Sequence, residues 1–504
     1  MKKILLFGAG KSATVLIDYL LQHALSENWT VTVVDANLAL AEEKIGHALG
    51  GEARSFDVSD AALRQQHIAA CDLVISLLPP SLHFLVAQDC ITLGKHLLTA
   101  SYVDDNMRSL ADAASEKGLL FLCEMGLDPG IDHMSAKKLI DHIHAEGGNI
   151  TSFHSHCGGL VAPESDNNPW HYKISWNPRN VVLAGKAGAV YKDKGSEMQM
   201  PYEGLFAEKR FVQLPGYEQM CWYPNRDSLS YIPIYGLESC PTFIRTTLRY
   251  PDFIYGWKNV IELRLTDETP AYDTDGKTLS EFFHEHLEKH GFGGWLQQRM
   301  SDQFEMSKKI LQDLMNIVEL QDEVSGVSDE RVEQFMMVNE KGSLQDVDLE
   351  ELKTNAAATV AMKMHDAKLT LSQLFFLGLD DKTTKINRGR CSAADVLQFA
   401  LERKLALQPG DRDLVVMLHE IGYELNGRNY NARSWFALEG ADDRHTAMAK
   451  TVGLPLGIAA RLLLNGTLKE RGLHIPVTES FYRPVLAELE QWDVIFTEEI
   501  RSQS

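Results

Sequence analysis

The run Gly8-Ala9-Gly10-Lys11-Ser12-Ala13 is the first place in this sequence where residue type and spacing could do chemistry. A short apolar stretch precedes it, and Val15, Leu16, Leu20 and Leu21 follow at helical spacing. Glycine at position 8 permits a tight turn. Glycine at position 10 lacks the Cβ that would keep a phosphate off the backbone, and alanine at position 13 lets a helix lie close to a sheet. The N-terminus of such a helix turns free amides and a partial positive charge toward a pyrophosphate. A run of this kind also occurs at ordinary strand-to-helix turns. Here it opens a strand pattern and is followed, 25 residues after Gly10, by Asp35 at the end of the next apolar run. A carboxylate there accepts hydrogen bonds from ribose hydroxyls and repels a 2′-phosphate. Ala36-Asn37-Leu38 supplies no cation, so the expected cofactor is NAD, with NADP second.

Three further constellations could act on a substrate. In Glu124–His133, the Pro129-Gly130 turn would present Asp128 at a fixed place just past a strand. Ligands of open α/β sheets bind beyond the carboxyl ends of the strands. The competing role for Asp128 is an N-cap for a helix from Ile131, and the spacing alone weighs the two equally. Ser155-His156-Cys157-Gly158-Gly159 places a cysteine at a strand end, where a buried small hydrophobe is the commoner reading. His154 and His156 would share one face of a strand and could mimic metal ligands, with His171 nearby, but no third ligand is evident, so no metal site is expected. Arg226 lies in the turn Tyr223–Ser228, while Arg245 and Arg249 share one face of a strand. Arginines converging in so acidic a chain suit bidentate capture of carboxylates; for any single one, pairing with some of the 70 acidic residues is the simpler reading.

The elements needed to position these groups can be read from apolar periodicity. Strands are expected at 3–7, 31–35, 53–58 (weak), 73–78, 96–101 and 119–124, with helices between, which gives an α/β, doubly wound parallel sheet of the Rossmann type. Beyond Gly126 the pattern becomes α+β, with strands at 150–157, 243–250 and 260–265 and a returning hairpin at 413–423 and 432–440. Residues 445–465 form a last helix with small residues on one face. The expected divisions are a dinucleotide-binding domain at 1–126, an α+β domain at 127–275 and 410–440, and a helical insert at 276–409. Within the insert, 318–352 is strongly acidic.

Composition narrows the partners. The chain has 504 residues, 44% of them hydrophobic, and a net charge of −21, which argues against nucleic acid or an anionic membrane surface. Seven cysteines scattered singly fit reduced thiols and a cytoplasmic protein. The apolar run after Lys2-Lys3 is too short for a secretory signal, and no stretch is long and apolar enough to span a bilayer.

Taken together, ISLLP at 75–79, TASY at 99–102, GLDPGIDH at 126–133, CGGL at 157–160, APE at 162–164, YPNRDS at 223–228, TLRY at 247–250 and AMAKTVGLP at 447–455 make the chain resemble the saccharopine dehydrogenases of the L-glutamate-forming type. The resemblance implies a homodimer in which the C-terminal helix of 440–475 completes the domain at 1–126 and residues 127–275 and 410–440 form the substrate and dimerisation domain. It implies oxidation of saccharopine to L-glutamate and 2-aminoadipate 6-semialdehyde, with Tyr102, Asp128 and Cys157 around the reacting amine. Arg226 and Arg245 would hold substrate carboxylates, with Ser101 beside them. The cofactor candidates are Gly8, Gly10, Lys11, Ser12, Ala13, Asp35, Asp57, Val58, Leu78 and Ser101. Asp35 resembles the NAD-using branch, which forms one half of an animal bifunctional enzyme, rather than the NADP-using fungal one. Three positions depart from the family pattern and bear on the substrate pocket: His156 where tyrosine is usual, Thr246 where glycine is usual, and Trp170-His171. A carboxynorspermidine dehydrogenase-like reductase and a non-catalytic dinucleotide-binding protein are the alternative readings.

Overall fold

Buried apolar runs build the first sheet of the structure, a computed structural model that describes residues 1–325, 335–338, 344–347 and 349–503. Its strands are β1 (Lys2–Phe7), β2 (Trp29–Val34), β3 (Gly51–Arg54), β4 (Leu73–Ser76), β5 (His96–Thr99) and β6 (Leu120–Leu122), all parallel. Side chains alternate across this sheet. Ile4 and Leu6 join one buried cluster with Leu16 and Ile17 of α1 (Thr14–His23). Leu5 and Phe7 join the other with Val74 and with Val86 of α2 (Pro80–Leu93). Burial on both faces is what makes such strands read as continuous apolar runs. All six expected strands are present, the third displaced toward its N-terminus. A seventh, Gly472–His474, extends the sheet beyond β6, giving the order Gly472–His474, β6, β5, β4, β1, β2, β3.

After β6 the chain enters α3 (Ile131–Ala145) and then a second, mixed sheet. Its central strands are β7 (Asn149–Val161), β8 (Met220–Pro224), β9 (Thr242–Arg249), β10 (Asp413–Leu425) and β11 (Arg428–Glu439). The expected hairpin is β10–β11, closed by Asn426-Gly427 with both residues at positive φ, a turn whose twist matches that of the strands. Register sets Arg245 beside Ser155 and Ser155 beside His419, and sets Thr247 beside Cys157 and Cys157 beside Met417. These residues therefore share one face. Gly158 and Gly159 permit close packing within the protein: a Cβ on Gly158 would stand 2.7 Å from the Leu248 carbonyl oxygen, and one on Gly159 2.5 Å from Met448.

Met448 belongs to α4 (Ala447–Leu464), the expected small-residue helix. A Cβ on Gly453 would stand 2.8 Å from the Leu16 backbone nitrogen, so glycine there lets α4 lie directly on α1. The helix is long and apolar enough to cross a membrane, but 78% of it is buried in the protein, as befits a core helix. It is not the last helix, since α5 (Glu479–Leu489) follows. These elements form one compact unit of Met1–Pro251 and Leu405–Ser504.

The second unit, Asp252–Lys404, is mainly helical, with long helices at Trp295–Ser325 and Leu349–Leu377. The strand expected at 260–265 is instead the end of a helix, Pro251–Glu262, and the turn after it. Buried Phe253, Trp257 and Val260 recur at helical spacing there. Residues 326–334, 339–343 and 348 of the acidic stretch 318–352 lie outside the described residues.

The start of α4 rests on one buried carboxylate. Asp413 Oδ1 accepts from the Ala447 amide at 2.6 Å and Oδ2 from the Met448 amide at 3.0 Å. Asp413→Ala leaves two buried amides without an acceptor and should destabilise the protein by on the order of 2–4 kcal/mol. Urea denaturation checks this; an unchanged midpoint would show that the amides find other partners.

Candidate active site

Turn chemistry at the end of β6 decides what the loop presents. Glu124 takes a positive φ of 56°, the Asp128-Pro129 bond is cis, and Gly130 has a φ of 147° that no side chain could adopt here, since its Cβ would overlap the Gly126 backbone. Asp128 sits in this loop, 15% exposed, and Asp132 in the first turn of α3, 2% exposed. Asp132 Oδ1 accepts from the Gly130 amide at 2.6 Å, so Asp132 and not Asp128 secures this helix start.

From the second sheet, β9 delivers Arg245. One terminal nitrogen, Nη2, donates to Asp128 Oδ1 at 2.7 Å and to Asp132 Oδ2 at 2.8 Å, so both of its hydrogens are committed. The guanidinium lies 4.4 Å from the ring centre of Tyr231. Tyr102 donates to Asp128 Oδ1 at 3.1 Å. Arg226, exposed and at a φ of 49°, stands 5.4 Å from the Tyr102 ring. Behind this cluster Glu124, 3% exposed, accepts from Tyr231 at 3.0 Å and from the Val103 amide at 3.0 Å, and pairs with His133 at 2.8 Å. The other ring nitrogen of His133 meets the Tyr235 hydroxyl at 2.6 Å.

Burial pushes the Asp128 carboxyl above the ordinary range; Arg245 opposes the shift and Asp132 reinforces it. Burial acts on Asp132 too, but His133, Arg245 and the Gly130 amide outweigh it and hold Asp132 below that range. The pair is thus divided into a carboxylate that stays charged and one readier to carry a proton, the division a proton-transfer site needs. Burial also drives the Tyr102 hydroxyl up and the Cys157 thiol well up, which leaves the thiol a poor nucleophile at neutral pH.

The structure brings Tyr102, Asp128 and Arg245 together, with Cys157 on the same sheet face as Arg245 and Arg226 at the rim. Arg245 is 2% exposed with Nη2 committed to two carboxylates, which is the geometry of a group that positions Asp128. Arg249 turns to the Tyr172 ring, 5.2 Å away. Asp132, Glu124, His133 and Tyr231 were missed. The first three lie in or beside GLDPGIDH, whose density of ionisable groups was the available signal; Tyr231 had none. His156 and Thr246, two of the departures, bond to each other at 2.6 Å, and Glu420 lies 3.4 Å from His156. On alternating strands this is the face opposite Cys157 and Arg245, so these two positions do not line the site.

At the glycine turn, Gly8 takes a φ of 99°, and a Cβ there would stand 2.8 Å from the Leu77 carbonyl oxygen. A Cβ on Gly10 would meet nothing within 4 Å, so the space over that backbone is open. No side chain caps the short helix Lys11–Ala13, and Ala13 is buried. This donor set fits a pyrophosphate. Lys11 reaches the Ile174 carbonyl at 3.2 Å. Asp57 is exposed and bonds the Ser59 amide at 2.8 Å, while Val58 is buried in the core. Leu78 and Ser101 stand at the mouth of the sheet, half-buried.

Comparison with known proteins gives two family matches: the saccharopine dehydrogenase NADP binding domain over residues 4–122 and the saccharopine dehydrogenase C-terminal domain over 126–495. Saccharopine dehydrogenase [NADP(+), L-glutamate-forming] of Schizosaccharomyces pombe is 31% identical over 99% of both chains. Alpha-aminoadipic semialdehyde synthase of Arabidopsis thaliana is 32% identical over 97% of this chain, which spans only 44% of that longer protein. The solved apo structure of the L-glutamate-forming saccharopine dehydrogenase of Saccharomyces cerevisiae superposes over the whole of both chains with a TM-score of 0.76 at 28% identity.

These findings overturn the expectation of NAD, because the matched family domain is NADP-binding and the S. pombe relative is named for NADP(+). The expectation rested on Asp35, which has a second role. Its Oδ2 accepts from the Ala9 amide at 2.8 Å and its Oδ1 from the Asn37 amide at 2.9 Å. The carboxylate therefore braces the glycine turn against the end of β2, and its presence does not by itself mark a ribose site. Arg54, in register with Val34 at the end of β3, is exposed and pairs with Glu52.

Arg245→Ala would leave Asp128 and Asp132 facing each other without their cation. The expected loss is about 3–5 kcal/mol of stability at pH 8. Both carboxyl pKa values would rise in the folded state, so the deficit against wild type should shrink toward pH 5, where protonation relieves the repulsion. Urea titrations at the two pH values measure it; a deficit that does not depend on pH would mean that the cluster is not held by charge.

Proposed function

The chain belongs to the saccharopine dehydrogenase family, and we propose that it is an NADP-linked oxidoreductase acting on the CH–NH group of saccharopine to release L-glutamate and 2-aminoadipate 6-semialdehyde. The observation that carries this reading is the Tyr102–Asp128–Arg245–Asp132 cluster, set at the strand ends of a sheet whose first turn suits a pyrophosphate. Overall, saccharopine, water and NADP+ give the two amino acids, NADPH and a proton.

When bound, the nicotinamide supplies the hydride acceptor. The secondary amine must be neutral before hydride leaves the adjacent carbon, so a base is needed first. Asp128, raised in proton affinity by burial, takes that role at the amine. Once the C=N bond has formed, water adds to its carbon, a proton returns to nitrogen, and the C–N bond breaks to give amine and aldehyde. Tyr102 holds one lone pair of Asp128 Oδ1 and so limits how the carboxylate turns. Cys157, with its thiol protonated, adds shape and not charge. Arg226 is the exposed cation for a substrate carboxylate, and Arg245 positions Asp128. A cationic diamine imine, the alternative substrate, would be poorly matched to Arg226. Assembly as a homodimer and a cytoplasmic location belong to the same proposal; sedimentation and fractionation test them.

Purified protein should reduce NADP+ with saccharopine, and silence with saccharopine and either dinucleotide would sink the reading. Asp128→Asn should lower kcat by about 10²-fold while cofactor affinity holds. In the wild type, protonating Asp128 removes the base, so kcat/KM should fall on the acid side at a pH above that of an ordinary carboxylate, near 4. Asp128→Asn should lose that limb, whereas a variant with an unaltered profile would assign it to another group. Arg226→Ala should chiefly raise the KM for saccharopine, by about 2–3 kcal/mol of binding for a charge-assisted contact. A wild-type KM in that variant would move the carboxylate site elsewhere.

A further inference from the structure

One buried ring between the cofactor side and the substrate side is not used by the mechanism above. His83 lies in the first turns of α2 and is 5% exposed. Its Nδ1 is 2.8 Å from the hydroxyl of Ser76, the fully buried last residue of β4. Its Nε2 is 2.6 Å from the hydroxyl of Ser101, which is half-buried just past β5. The Leu78 backbone also meets this ring. His83 therefore ties together the two strand-end loops that flank the nicotinamide side of such a site, and Ser101 is the neighbour of Tyr102, which bonds Asp128.

We propose that His83 is a positioning residue for the reaction: through Ser101 it fixes the loop that carries Tyr102, and so aligns the substrate amine and Asp128 with the cofactor. This rests on the saccharopine reading given above. The ring suits the task because it does not change charge in the working range; burial pushes its pKa down to about 4. A neutral imidazole has one donor and one acceptor nitrogen, so one serine donates to the ring while the other accepts from it. The Ser101 hydroxyl is thereby denied free rotation. A brace between β4 and α2 alone would be met by the Ser76 contact; the second nitrogen reaches past β5 to a half-buried hydroxyl next to Tyr102.

The test compares full-length wild type, His83→Ala, His83→Gln, Ser101→Ala and the double variant His83→Ala/Ser101→Ala, with kcat and KM for saccharopine and the Kd for NADPH by fluorescence. Misalignment of this kind should lower kcat/KM by about 10–100-fold with kcat carrying most of the loss and the NADPH Kd little changed. The double variant should be no worse than the poorer single one, because both interrupt one path. Gln, whose amide can reach Ser101, should recover part of kcat. Losses that multiply in the double variant, or a loss confined to thermal stability, would overturn the proposal. If His83→Ala does not fold, Ser101→Ala and His83→Gln decide it by the same criteria: wild-type kcat in both sinks the assignment. A wild type that is inactive on saccharopine would sink the functional reading and this assignment together, whereas an active wild type with indifferent His83 variants sinks only the latter.

Discussion

The structure turns on a single nitrogen, Nη2 of Arg245, that carries two carboxylates in a nearly dry place. Charges removed from water are strongly penalised unless each is paired and hydrogen-bonded. Asp132 and the guanidinium are each 2% exposed, so neither tolerates a displaced partner. Arg245 comes from β9 of the second sheet, Asp128 from the loop that leaves the first, and Asp132 from the first turn of α3 after that loop. The cluster therefore fixes one sheet against the other as well as fixing Asp128. The parts around it serve that geometry: the Gly130 amide on Asp132, the Tyr231 ring against the guanidinium, and the Glu124–His133 pair holding Tyr231 from behind.

The sequence was most legible where burial is two-sided. β1 and β4 hold continuous apolar runs because both faces are covered, β2 alternates Val31 and Val33 with half-buried Thr30 and Thr32, and their order around the glycine turn made the fold class readable. Gly51–Arg54 is half-exposed and carries little apolar signal, so the expectation slid to the hydrophobes beyond it. Gly472–His474 has too few residues to show a period. The misread stretch at 260–265 is short and apolar, and at that length strand and helix cannot be told apart; only the wider spacing of Phe253, Trp257 and Val260 distinguishes them. In the site, motif residues such as Asp128 and Tyr102 could be named from the chain alone. Their pairing with Arg245 could not, because partners 113 and 117 positions apart leave no local pattern.

Asp35 illustrates a second limit. An acidic residue at the end of β2 reads as a ribose acceptor, but its oxygens can also serve the backbone around them. Here each already accepts a backbone amide, from Ala9 and Asn37. A carboxylate so engaged stiffens the glycine turn, and Arg54 on the neighbouring strand is paired with Glu52. A rule that assigns the cofactor from that one residue omits what else the residue does.

The two departures on β7 and β9 show how a sheet separates change from function. His156 and Thr246 are register partners, and alternation sends both to the face away from Cys157 and Arg245. The Thr246 hydroxyl meets His156 Nδ1 at 2.6 Å, so two buried polar atoms on that face satisfy each other. The opposite face, with Ser155, Cys157, Arg245 and Thr247, keeps its register throughout. In a pleated strand alternate residues serve the two sides, and the charge cluster of Arg245 draws on one side only.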